Sequence, residues 1–257
     1  RMVHSGIWDV LEGGFCRYAV DKAWKVPHFE KMLYDQGRLL STMANAVRLD
    51  PNQQSLVEAL QATVNYLRTV LMAPNAGGFY ASEDADSLNE SGVSTEGAFY
   101  VWSYAELREA LEPAELQLLS ETYSIAPEGN CGDVHDPHGQ LLQKNMLHFR
   151  RPLQPIPPEQ RNVWKQAHAK LQRVRDGRSR PPRDDKIILD WNCLAIRGIM
   201  QAAMVVQEAS WMQDALQTLD TLRQQFHLGD VSSLSATGRR ISFHGEMSNI
   251  QIGRAHV

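Results

Sequence analysis

Leu56, Leu60, Val64, Leu67 and Leu71 recur at steps of four, four, three and four. Such positions share a face only on an α-helix, whose side chains repeat about every 3.6 residues. The same pattern returns along the chain. Phe29, Met32, Leu33, Gln36, Leu39, Leu40, Met43, Ala44 and Val47 fall on one broad face of a helix predicted from Pro27 to about Leu49 and closed by Asp50-Pro51. Ser103, with Glu106 three residues on, reads as a capping box, and Pro113 opens a short helix to about Tyr123. Pro157-Pro158 opens another to about Arg175. A long apolar helix follows Asp184-Asp185 and ends near Gln207; Met212, Leu216, Leu219 and Phe226 line one side of the next. Helices of this kind must stack to bury their faces. The expected class is therefore mainly α, with antiparallel helix pairs in a toroid or bundle. No repeat is visible in the residues themselves.

The connections are polar and long. The segments "GGFYAS" and "GAFYVWS" read as two strands, paired as a hairpin across the loop from Glu83 to Glu96. A second short hairpin is expected around Thr237-Gly238, and an irregular stretch from Pro127 to Gln143. "RVRDGRSRPPR", Arg173 to Arg183, reads as a solvated linker. The net charge of −4 gives no reason to expect nucleic acid or an anionic membrane as partner. Asp190, Asn192 and Arg197 interrupt the most apolar stretch, which reads as a buried helix and not a membrane span. Cys16, Cys131 and Cys193 are far apart, which argues against a disulfide framework and fits a reducing, cytoplasmic setting. The last six residues, "IGRAHV" at 252–257, match the translation of a common sequencing adapter and are set aside as a tail of that origin. Residues 1–251 then read as a fragment of one domain.

Titratable groups gather at the expected helix starts. "KVPHFEKMLYDQ" places His28, Glu30, Lys31, Tyr34 and Asp35 within two turns of one another. On a helix, His28 and Asp35 would share an edge of the apolar arc, with Lys31–Asp35 and Glu30–Tyr34 as i, i+4 pairs. That pattern suits capping with solvent-facing ion pairs, and equally a site. "EDADS" sets Glu83, Asp84 and Asp86 directly after a strand; crowded carboxylates raise one another's pKa, which suits acid–base work or a cation, and equally a solvated loop. It lacks the ligand and glycine positions of an EF-hand. In "RDDKIILDWNCL", Asp184 or Asp185 would cap the helix, beside Lys186, Trp191 and Asn192. Trp191 and Asn192 could be core packing, or a stacking platform and an amide for a polar ring. Cys131, His135 and His138 have metal-like spacing, but no fourth ligand stands at matching spacing and no metal is assigned. There is no nucleophile-elbow, P-loop or dinucleotide fingerprint, and no cofactor is expected.

"GGFCRYAVDKAWKVPHFEKMLYDQ", "GGFYASEDADS", "EGAFYVW", "NMLH" and "DDKIILDWNCLAIRG" occur in this order. Together they resemble the spermatogenesis-associated protein 20/YyaL-like family over nearly all of the chain. The resemblance implies a thioredoxin-like domain followed by an (α/α)6 toroid similar to N-acylglucosamine 2-epimerases and other six-hairpin sugar enzymes. The expected fold is then a partial (α/α)6 toroid of antiparallel helix pairs with short β-hairpins in the loops, without the thioredoxin-like domain. Inner-helix starts line the cavity of such toroids. The resemblance thus gathers His28, Glu30, Tyr34, Asp35, Glu83, Asp84, Asp86, Asp185, Lys186, Trp191 and Asn192 around one funnel. Cys16 stands where the family usually has His, and Cys193 where it has Gly.

The functional expectation is a carbohydrate-active domain of epimerase or isomerase kind acting on a small sugar. His28 and Asp35 belong to the catalytic group, with Glu83, Asp84 or Asp86 as acid–base partner of His28. Glu30, Tyr34, Asp185, Lys186, Trp191 and Asn192 would bind substrate, Trp191 as platform. Two other readings stand beside it. One is a non-enzymatic domain serving the thioredoxin-like domain in redox or protein quality control; the other is a glycoside hydrolase, which needs two facing carboxyls.

Overall fold

The computed structural model describes residues 1–74, 77–131, 139–150 and 156–226. Seven α-helices carry the described part of the fold: α1 (Leu33–Leu49), α2 (Gln54–Tyr66), α3 (Tyr104–Ala110), α4 (Pro113–Thr122), α5 (Arg161–Asp176), α6 (Leu189–Val206) and α7 (Ala209–Gln225). The mainly α class is as expected. Short connections fold α1 back on α2 and α6 back on α7, as antiparallel pairs require. The leucine run holds: α2 continues through a π-helical turn, Leu67–Leu71, and Leu60, Leu67 and Leu71 are fully buried. Among the described residues no helix is long and apolar enough to cross a membrane.

The most extensive helix contact joins the two pairs, α1 against α6. Two glycines permit it. A Cβ on Gly37 would stand 2.5 Å from the Leu194 carbonyl carbon, and one on Gly198 would stand 2.6 Å from the Gly37 carbonyl oxygen. Backbone meets backbone at this crossing, so neither position has room for a side chain.

Among the described residues, eleven short strands knit the loops. β1 (Tyr18–Ala19) pairs with β2 (Pro27–His28). β3 (Lys31–Met32), β6 (Ser82–Glu83) and β11 (Arg183–Asp184) form a three-stranded sheet with β6 in the middle. β4 (Met72–Ala73) pairs with β5 (Gly78–Phe79), β7 (Asp86–Leu88) with β8 (Ser94–Glu96), and β9 (Trp102–Ser103) with β10 (Lys144–Asn145).

Several expectations are corrected here. The first helix starts at Leu33 and not at Pro27, because Pro27–His28 and Lys31–Met32 are drawn into strands and Leu33 donates its N–H to the Ala81 carbonyl. The long-looped hairpin of "GGFYAS" with "GAFYVWS" does not form. Their strands find other partners, and the loop between them folds as its own hairpin, β7–β8. Asp184 and Asp185 do not cap α6, which begins after Ile188 with no side-chain cap. The Ser103 capping box is present: Ser103 Oγ accepts from the Glu106 N–H, and the Glu106 carboxylate accepts from the Ser103 N–H at 2.6 Å. The expected hairpin near Thr237-Gly238 and the tail at 252–257 lie outside the described residues.

Candidate functional site

Three sequence motifs meet in the sheet β3–β6–β11. Lys31 and Arg183 both sit opposite Glu83, and Met32 and Asp184 both sit opposite Ser82. Lys31 and Glu83 are fully buried. Lys31 Nζ donates to Asp9 Oδ2 at 2.9 Å and to the Gly13 carbonyl at 3.0 Å, and lies 4.5 Å from the Tyr66 ring centre. Arg175 donates to the other Asp9 oxygen at 2.8 Å. Burial would raise the Asp9 pKa, but Arg175 and Lys31 overcome it and hold the carboxyl well below the usual range. Glu83 accepts from Tyr66 Oη at 2.8 Å and from Arg180 Nε at 2.7 Å, and Arg180 also reaches Glu12 at 2.6 Å.

This network corrects two expectations. Glu83 does not face a cavity: a buried carboxylate must be paired, and both its oxygens are used in the core. The basic stretch is not a solvated linker. Arg175 and Arg180 hold the buried acids, and Arg178 stacks 4.0 Å over the Trp102 ring while donating to the Phe99 and Val101 carbonyls. Arg183 donates to the Val70 carbonyl.

A second, partly exposed polar cluster, here called the crease, runs from His28 into the first turn of α1. His28 Nδ1 is 2.7 Å from Glu96 Oε1, its Nε2 is 3.7 Å from Glu30 Oε2, and its ring stacks on Tyr18 with centres 5.0 Å apart. Glu30 accepts from Arg17 Nη1 at 3.0 Å. Tyr34 stands beside Arg17, and its ring meets Trp191 edge-on at 4.7 Å. Burial raises the Tyr34 pKa, and Asp35 adds to that. Asp35 follows in the first turn of α1. Burial pushes its carboxyl up to about 6, against the pull of Arg17 and Arg38. Its Oδ2 is buried and has no hydrogen-bond partner among the described residues.

The structure therefore links His28, Glu30, Tyr34 and Trp191 through Arg17 in one run of contacts, with Asp35 next to Tyr34 on α1 and within electrostatic reach of Arg17. The route is not the expected one. His28 and Glu30 come from the strand segment, so neither makes a helical i, i+4 or i, i+7 relation with Tyr34 or Asp35. Lys31 turns inward to Asp9 and does not pair with Asp35.

The other predicted residues separate from this group. Asn192 is fully buried and its amide is consumed by backbone. Its Oδ1 accepts from the Phe79 N–H at 2.7 Å, and its Nδ2 donates to the Phe79 and Ile188 carbonyls at 3.0 Å. It splices β5 to α6. Asp84 is exposed and turns the chain by accepting from the Asp86 N–H. Asp86 sits opposite Glu96 in the β7–β8 register. Lys186 pairs with Asp184 at 2.7 Å, and Asp185 is exposed. Cys16 lies in the core at 2% exposure, where burial pushes its thiol up to about 12 and keeps it neutral. Cys131 is buried and donates to Asn130 Oδ1; His135 and His138 lie outside the described residues. Among the described residues no group of three or more His, Cys, Asp or Glu is placed to hold a metal ion.

Glu96 and Arg17 complete the crease and were not among the predicted site residues. Glu96 stood in the sequence only as the end of a polar loop, and its distance of 68 residues from His28 leaves no local signal. Two clefts lie elsewhere. A groove of about 880 Å³ between α6 and α7 contains none of the predicted site residues, and a polar cleft of about 940 Å³ reaches the site only at Glu96. Apart from Glu96, the crease residues lie outside both clefts, among them Tyr34 and the raised Asp35 carboxyl with its unpartnered Oδ2.

No protein-family model matches the chain. Spermatogenesis-associated protein 20 of Homo sapiens is 33% identical over 90% of this chain, and that of Mus musculus 31% identical over 90%. An uncharacterised protein of Caenorhabditis elegans is 32% identical over 83%. The chain spans 31% of the length of each of these relatives. Among solved structures, cellobiose 2-epimerase from Spirochaeta thermophila matches 85% of this chain and 49% of its own, at 13% identity and a TM-score of 0.28, too distant to carry an inference about activity.

Proposed function

The chain belongs, over nine-tenths of its length, to the spermatogenesis-associated protein 20/YyaL-like family, and from that premise we propose that its polar crease performs acid–base chemistry on a sugar, of epimerase or isomerase kind. The observation that carries this reading is Asp35. Its carboxyl is held near 6 by burial, with one oxygen left without a partner, beside Arg17 and Tyr34. A carboxyl poised there is divided between its two protonation states close to neutral pH, which suits proton exchange with a substrate carbon or hydroxyl. His28 supplies the second proton-handling group. Tyr34 and Trp191 supply an aromatic corner on which the apolar face of a pyranose could rest. Arg17, bonded to Glu30, supplies a fixed cation for a developing oxyanion.

The test is a panel of mono- and disaccharides offered to the chain and to a full-length relative. Turnover or binding that is lost in Asp35→Asn and in His28→Asn supports the reading. Absence of turnover and binding with every sugar, in both proteins, removes it.

A further inference from the structure

We infer that Glu96 is a positioning residue that holds His28 in the Nδ1–H form and leaves Nε2 as its working nitrogen. The inference rests on the proposed acid–base reading only for the use made of Nε2; the proton's place on Nδ1 stands on geometry alone.

A carboxylate can only accept hydrogen bonds. Nδ1 lies 2.7 Å from Glu96 Oε1, a distance that requires a shared proton. The same Oε1 also accepts from the Phe29 N–H at 3.4 Å, so this oxygen faces two donors and acts as acceptor. The proton of the pair therefore sits on Nδ1. Nε2 has no equal partner: the nearest carboxylate oxygen, on Glu30, is 3.7 Å away, beyond hydrogen-bond reach, and is bonded at 3.0 Å to Arg17. In the neutral ring, Nε2 keeps its lone pair. The charged groups facing the imidazole are thus Glu96 on one nitrogen and Glu30, already engaged, near the other.

The fold supplies this arrangement deliberately from two directions. The pairing of β1 with β2 sets His28 opposite Tyr18, whose ring stacks on the imidazole and fixes its plane. The β7–β8 hairpin carries Glu96 at its last position, where register places it across from Asp86. The next residue, Gly97, has φ +74° and donates to the Ala85 carbonyl, which anchors that end of the hairpin. A Cβ at Gly97 would fall 2.4 Å from the Phe29 ring, so Glu96 is delivered by a close passage of backbone over the residue that follows His28. A carboxylate that orients a histidine through one nitrogen and frees the other is a general device for making a defined base.

The measurement is a long-range ¹H–¹⁵N spectrum of the labelled chain, which reports which imidazole nitrogen carries the proton. Neutral His28 is expected to show the Nδ1–H pattern. In Glu96→Ala that pattern is lost in favour of Nε2–H, whereas Glu96→Gln, whose carbonyl still accepts, retains it, and Glu30→Gln leaves it unchanged. An Nε2–H pattern in the parent chain, or an unchanged pattern in Glu96→Ala, overturns the inference. Should Glu96→Ala fail to fold, the parent spectrum and Glu96→Gln still decide. These spectra need no substrate, so a failure here is separate from a failure of the sugar panel.

Discussion

Asp35 shows how a single residue records conflict between fold and site. Its folded pKa of about 6 lies above the ordinary carboxyl value of 3.8, so the folded chain binds a proton that the unfolded chain releases between those values. Stability from this group is full below the lower value and is lost as pH rises toward 6. Asp35→Asn is therefore expected to stabilise the chain at pH 7 by about 1–2 kcal/mol, allowing for solvent at the open edge of the crease, and to have little effect at pH 4. Urea midpoints at the two pH values check this. Lys31 predicts the opposite. Its replacement by Met leaves Asp9 buried with one partner fewer, at a cost of about 3–5 kcal/mol. Asn192 separates two readings of one residue. Asn192→Leu strands the Phe79 N–H and carbonyl and should cost about 1–3 kcal/mol by thermal or urea unfolding. A stability equal to the parent would return Asn192 to the list of substrate ligands. Its burial was ambiguous in sequence, because an amide among apolar residues suits both core and site.

At the scale of elements, the helices were legible and the start of α1 was not. Periodicity in Leu56 to Leu71 and the capping box at Ser103 are local signals, and both appear where the residues place them. The start of α1 was misplaced by six residues because Pro27 is as suitable for a short strand as for a first helical turn. What decides between them is pairing with Tyr18–Ala19 and Ser82–Glu83, and the latter lies some fifty residues away. The α1–α6 crossing was also invisible in sequence, since Gly37 and Gly198 each look like a weak point in a helix. Their contact predicts that Gly198→Ala pushes the two helices apart and destabilises by about 1–3 kcal/mol, although alanine is the better helix former. An unchanged or raised melting temperature would show that the crossing relaxes freely.

Over the whole molecule, the motif at His28, the "EDADS" motif and the basic stretch before α6 do converge, but in two layers. The three-stranded sheet turns Lys31 and Glu83 inward onto Asp9, Arg175 and Arg180, while His28 on β2, Glu30 after it, and Tyr34 and Asp35 on α1 stay partly exposed. Sequence spacing could gather these residues but could not turn Lys31 and Glu83 inward, because in strands that choice follows from register. The arginines are hidden in sequence for a related reason: a run of charge near glycine and prolines describes a linker equally well until its buried acids, Asp9 and Glu83, are known. The central claim is that the crease is the working site, with Asp35 as its poised carboxyl. Titration of the Asp35 carboxyl carbon by NMR, without and with each sugar that binds, tests it most directly. The account predicts a midpoint near 6 that moves when a sugar is bound; a midpoint near 4 that no sugar shifts would contradict it.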